Sequence, residues 1–183
     1  MNREWKMGLD LYIEAKIREK QTGRVISADP CEECVDDEDK GFFEICWWCS
    51  RAFYDIRSEM IGISNRHAGT GYTDSDFVIP VPQAALHDIY AYLVKRSCLS
   101  DEEPFEALPC ETEWEERFSY EKMNLLNADK LHDLLFILGS IKHNNAFWTD
   151  HMIKEYIPGT GDLMSLKTDP QAYEWEFRIF NSY

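Results

Sequence analysis

Basic residues are scarce in this chain of 183: 19 Lys and Arg stand against 34 Asp and Glu, a formal charge of −15. Sequence-independent binding to nucleic acid or to an anionic membrane needs a basic face, so direct contact with either is not expected. Long uncharged apolar runs are missing too. No window has the length of a membrane span, and "MNREWKMGLDLYIEA" holds no apolar stretch of signal-peptide length. The expected compartment is therefore the cytoplasm, where thiols stay reduced. Histidines are few, and His67, His87, His132, His143 and His151 show no metalloprotease spacing. The glycines of "HAGTGYTDSD" and "PGTGD" are not followed by Gly-Lys-Ser/Thr, so neither stretch reads as a phosphate loop.

What the chain does hold is apolar and aromatic residues, 44% and 14% of the total, enough to fill a sizeable core. Leu9, Leu11, Ile13, Ala15 and Ile17 alternate with Asp10, Tyr12, Glu14 and Lys16, the period of a half-buried strand. Thr22-Gly23 reads as a turn and "RVIS" as a short return strand. A strand follows from Phe42 to Trp47. Ala52, Phe53, Ile56 and Met60 then fall on one face of a helix ending near Ser64. "FVIPVP" reads as a strand, and Leu86, Ile89, Tyr90 and Leu93 as a helix closing on Lys95 and Arg96.

Residues 101–116 carry acids and prolines without Lys or Arg, as an exposed connector does. Phe118–Leu126 reads as strand or helix. Asn127 is placed to cap a helix with Leu131, Leu134, Leu135 and Leu138 inward. "IPGTGDL" reads as loop. Tyr173, Trp175, Phe177 and Ile179 alternate in a last strand. The sequence thus predicts an α+β fold, with a mostly antiparallel sheet that includes both terminal strands and helices packed on it. One domain spans residues 1–183, with a four-cysteine, zinc-ribbon-like knuckle over residues 29–50.

That knuckle is the strongest chemical signal. Cys31, Cys34, Cys46 and Cys49 form two Cys-x-x-Cys pairs, the spacing that brings four thiolates around one Zn²⁺. A thioredoxin-like site needs a stabilised thiolate, whereas Glu32, Glu33 and the acids from Asp36 to Asp39 would raise the pKa of Cys31 and Cys34. Disulfides are the other alternative, disfavoured by the absent secretion signal. Four cysteines close the coordination shell, so the metal would be structural rather than catalytic.

Few other groups could carry chemistry. His67 with Asp74 and Asp76 is the best loop cluster for a hydrolytic or metal-dependent enzyme. No Ser or Cys nucleophile motif accompanies it, and no catalytic residue is assigned. Trp47 and Trp48 are adjacent at a strand end, so one should face the core and the other the opposite side. An exposed Trp there, beside the acids Asp36, Asp37, Glu38 and Asp39, would suit a basic protein partner. Asp101, Glu102 and Glu103 open a second acidic stretch with the same potential. A zinc-ribbon adaptor or regulator is a further alternative, although its knuckle should be basic.

At "GLDLYIEAKI", "GFFEICWWCSRAFYDIRS" and "QAYEWEFRIFNSY" the chain resembles a group of small proteins encoded by phages and prophages. Met7-Gly8 matches that group's usual start, which makes residues 1–6 an extension. Zinc rests on this sequence alone, because the group does not uniformly share the first cysteine pair. In type the chain is similar to zinc-containing anti-CRISPR proteins of the Cas9-directed class. That similarity implies a bacterial host cell and a basic partner, a Cas9-like RNA-guided nuclease. DNA or guide loading would be blocked by an acidic surface competing for its Lys and Arg residues.

The cysteine spacing predicts about one Zn per chain by elemental analysis of purified protein. Cys46→Ser should release it, whereas Cys98→Ser and Cys110→Ser should not. Metal-free protein with a complete fold would end the zinc reading.

Overall fold

The computed structural model describes residues 10–28, 39–49, 54–99, 120–139 and 153–182. Its elements run β1 (Asp10–Glu19), β2 (Phe42–Cys49), α1 (Tyr54–Ala68), β3 (Val78–Val81), α2 (Ala85–Leu99) and α3 (Tyr120–Ile137). The short α4 (Ile153–Tyr156), α5 (Thr160–Thr168), a 3₁₀ turn (Pro170–Ala172) and β4 (Tyr173–Ser182) follow. The strands form one antiparallel sheet in the order β2-β1-β4-β3, so the expected α+β arrangement of helices on an antiparallel sheet is present.

The first and last strands lie side by side in its centre, paired from Asp10↔Ser182 to Glu19↔Tyr173. Alternation then sorts their residues. Leu11, Ile13, Ala15 and Ile17 of β1 and Tyr173, Trp175, Phe177 and Ile179 of β4 are buried on the inner face. Ile56 and Met60 of α1, Leu86 and Leu93 of α2, Leu131 and Leu135 of α3, Ile153 of α4 and Leu166 of α5 join them in one core. β3 is an edge strand, and Pro80, which has no N–H to donate, is tolerated there.

Several local expectations are corrected. The return strand at "RVIS" is reduced to a single bridge, Arg18↔Val25. Beyond it a side chain takes over the pairing: Ser27 Oγ accepts the Ile17 N–H at 2.9 Å and donates to the Gly41 carbonyl at 2.6 Å. α1 runs past Ser64 to Ala68 and stops at Gly69, whose φ of 66° is the left-handed end a glycine allows. Asn127 is no cap. It lies mid-helix in α3 and is fully buried, with its amide N–H donated to the strand it packs on. The region 118–126 is helical from Tyr120, and of "IPGTGDL" only residues 157–159 are loop before α5 begins. The acidic stretch 101–116 lies outside the described residues.

Gly41 controls the entry to β2. Its φ is 85°, and a Cβ there would meet Val25 Cγ1 at 2.5 Å. Gly41→Ala should lower stability by about 1–3 kcal/mol, read as a lower urea midpoint at unchanged m-value. An unaltered midpoint would show that the 39–42 turn does not constrain the sheet.

Candidate functional site

β2 carries "CWWC" along an edge of the sheet. Its pairing with β1 slips at a bulge: Ile13 faces Cys46, whereas Glu14 faces Glu44, which leaves Ile45 as the extra residue. Phe43 and Ile45 point inward before the bulge, and Cys46 and Trp48 point inward after it; all four have 0% exposure. A one-residue slip exchanges the faces of a strand. Trp48 is thereby the core tryptophan, and Trp47, half-buried and opposite Tyr12, belongs to the outer face. Of the two tryptophans considered for partner binding, Trp48 is withdrawn into the fold.

α3 lies over this strand. Cys46 Sγ donates to the Asn127 carbonyl at 3.5 Å, and Asn127 Nδ2 donates to the Trp47 carbonyl at 3.2 Å. Burial pushes the Cys46 thiol up to about 12; Lys130 draws it down and Glu44 raises it further, both by smaller amounts. The indole N–H of Trp48 and the side-chain carbonyls of Asn124 and Asn127 are buried with no partner among the described residues. This is a polar seam set inside an apolar interface.

Thiolate chemistry suits Zn²⁺, but the surroundings of Cys46 in this fold favour its protonated form. Cys49 pairs with Asp10 three residues further along the same strand. Cys31 and Cys34 lie outside the described residues, as do Asp36, Asp37, Glu38 and Asp101, Glu102, Glu103. Among the described residues no three His, Cys, Asp or Glu groups gather closely enough to hold a metal.

The outer face is organised by Arg178 of β4, which is 7% exposed. Its Nε donates to Glu14 at 2.6 Å, and its Nη1 bonds Asp39. The guanidinium lies 3.8 Å from the Phe42 ring centroid and 4.9 Å from that of Phe180, with Lys16 Nζ 4.1 Å from Phe42. A delocalised, weakly hydrated cation is well matched to two rings and two carboxylates. Asp39, the last acid of the run beginning at Asp36, is thus tied to the same face that presents Trp47. Nothing in the spacing of Arg178 signalled this role, since it sits at an ordinary outward position of an alternating strand.

The His67–Asp76 loop spreads its candidate groups among separate partners. His67 Nε2 pairs with Asp88 of α2 at 2.7 Å. Asp74 accepts from Ser58 Oγ at 2.9 Å, and Asp76 accepts the Thr73 N–H at 2.6 Å. Arg57, buried under the loop, donates to the carbonyls of Asp74 and Asp76. Asn65 holds Tyr72 from both ends of its amide, at 2.7 and 3.0 Å. The three candidate groups are each engaged with a different partner.

No family model matches the chain, and no curated protein and no solved structure matches it. Among the described residues no helix is long and apolar enough to cross a membrane.

The Cys46 environment sets a pH dependence for the metal-free protein. A thiol of ordinary pKa, 9.0, when unfolded and about 12 when folded keeps its proton longer in the native state. Its stabilising contribution is complete below pH ~9 and is lost as pH rises toward ~12. Native Cys46 should resist iodoacetamide at pH 8 and react once urea unfolds the chain. Rapid labelling of native protein at pH 8 would contradict the buried-thiol assignment.

Proposed function

We propose that the protein works by holding a basic partner rather than by transforming a small substrate. The partner class we infer is a nucleic-acid enzyme of the RNA-guided nuclease type, blocked where DNA or guide RNA would load. The observation that carries this reading is that Asp39 and Trp47 share one face of the sheet, toward opposite ends of β2. A face that holds Asp39 and a half-buried indole offers a cationic surface both charge complementarity and an apolar anchor. The net charge of −15 would speed encounter with such a partner and repel free nucleic acid. The phage-type sequence resemblance supplies the partner class.

A structural Zn²⁺ on Cys31, Cys34, Cys46 and Cys49 belongs to the same proposal. It would tie the acidic loop to the end of β2. Binding there must remove the proton of Cys46, which a coordinated metal does outright. The enzyme alternative at His67, Asp74 and Asp76 is not preferred, because those groups are committed to separate structural hydrogen bonds.

The test is affinity for a Cas9-like nuclease, with and without guide RNA, measured across salt. Binding should weaken between ~0.1 and ~1 M salt as the Debye length contracts from ~10 to ~3 Å. Nucleic acid should compete. Reversing Asp36, Asp37 and Glu38 to Lys, with Asp39 left on Arg178, should cost about tenfold or more. Trp47→Ala should cost about 2 kcal/mol. Affinity indifferent to salt, charge reversal and Trp47 would overturn the reading, as would absence of binding.

A further inference from the structure

The register of the sheet lines up apolar side chains on its outer face. Trp47 of β2 lies opposite Tyr12 of β1, Tyr12 opposite Phe180 of β4, and Phe180 opposite Val78 of β3. They form one row across β2, β1, β4 and β3, with the Tyr12 and Phe180 ring centroids 6.5 Å apart. The described helices join the core on the other face. Trp47, Tyr12 and Phe180 are half-buried, and Val78 is 43% exposed. Single apolar residues at a surface are ordinary, whereas a contiguous row of them marks an interaction site.

Charge frames the row. Asp10 stands on the same face at one side of it, and at the other side Glu14 lies directly opposite Glu44. Like charges so placed repel, and Arg178, which reaches Glu14, is shared with Asp39. A cation brought by a partner relieves that repulsion.

We propose that this row seats a basic amphipathic helix of a protein partner. Its apolar ridge lies along Trp47, Tyr12, Phe180 and Val78, and its Lys or Arg side chains reach Asp10, Glu14 and Glu44. The site rests on the reading of this face as the holder of a basic partner, and it specifies the element that partner presents. Length agrees: with strands ~4.8 Å apart the row spans about 14 Å, which about ten helical residues cover at ~1.5 Å each. Backbone chemistry selects a helix over a strand. β1 and β4 are paired on both sides, so the face offers side chains rather than backbone groups, and a helix arrives with its own backbone bonds made. A second copy fits poorly, because a two-fold contact would bring these carboxylates together on two chains of −15 each.

The probe is a synthetic Leu/Lys peptide of about 18 residues in amphipathic order, long enough to hold a helix in water. It is titrated into the full-length protein and followed by NMR. The assigned Trp47 indole N–H and Val78 methyl signals should move together and saturably, with a midpoint on the order of 100 μM, and less as salt rises. The buried Trp48 and the exposed Leu125 and Leu126 of α3 should stay in place. A Leu/Glu peptide of the same order and a scrambled Leu/Lys peptide should move none of these signals. Val78→Lys, at an exposed edge position, should weaken binding about tenfold or more, and Glu44→Gln about threefold.

The proposal is overturned if Trp47 and Val78 do not respond, if either control peptide moves them equally, if Leu125 and Leu126 move instead, or if both variants bind as wild type does. Shifts of the same two signals on raising protein concentration alone would make the occupant a second copy and also overturn it. Peptide binding without affinity for a Cas9-like nuclease supports the row and overturns that partner class, whereas nuclease affinity without a peptide response does the reverse.

Discussion

Pairing between the first and last strands is the constraint on which the rest of this structure depends. β1 and β4 occupy the centre of the sheet, and among the described residues every other strand hangs on one of them: β2 on β1, β3 on β4. The inner face that collects the helices is built mainly from their alternating apolar residues. The outer face is stitched by Arg178, which reaches from β4 to Glu14 of β1 and to Asp39 at the entry to β2. A change that slipped β1 against β4 by one residue would turn Leu11, Ile13, Ala15 and Ile17 toward solvent. It would also disperse the cation–carboxylate cluster behind them.

Much of this plan is legible from the sequence wherever one physical period acts alone. The alternations in β1 and β4 are uninterrupted, and both strands follow them. Leu86, Ile89 and Leu93 recur at helical spacing, and α2 buries them. Legibility fails where a tertiary contact overrides the local pattern. Asn127 has the chemistry of a cap, but an amide that can reach a strand carbonyl is equally at home inside an interface. Ser27 reads as part of a strand, yet its hydroxyl replaces the ladder. The bulge at Ile45 is the sharpest case. Alternation foretells that Trp47 and Trp48 part company, but only the extra residue decides which goes inside.

The candidate site divides along the same line. Cysteine spacing is a sequence property and argues for four thiolates around one metal. The surroundings of Cys46 are a property of the fold and argue for a proton on that sulfur in the metal-free protein. Arg178 was invisible for the opposite reason. Its importance comes from Phe180 on its own strand and from Glu14, Asp39 and Phe42 on two distant segments, and no local window contains them all.

The central pairing also has a consequence for the order of events during synthesis. β1 leaves the ribosome well before its central neighbour β4, with every other described element made in between. Until β4 arrives, a strand with four inward apolar residues stands with one edge unfilled, and the helices made in between have no finished sheet to rest on. Contacts this distant in sequence close slowly. The nascent chain is therefore open to misassociation along that unfilled edge until β4 has been made.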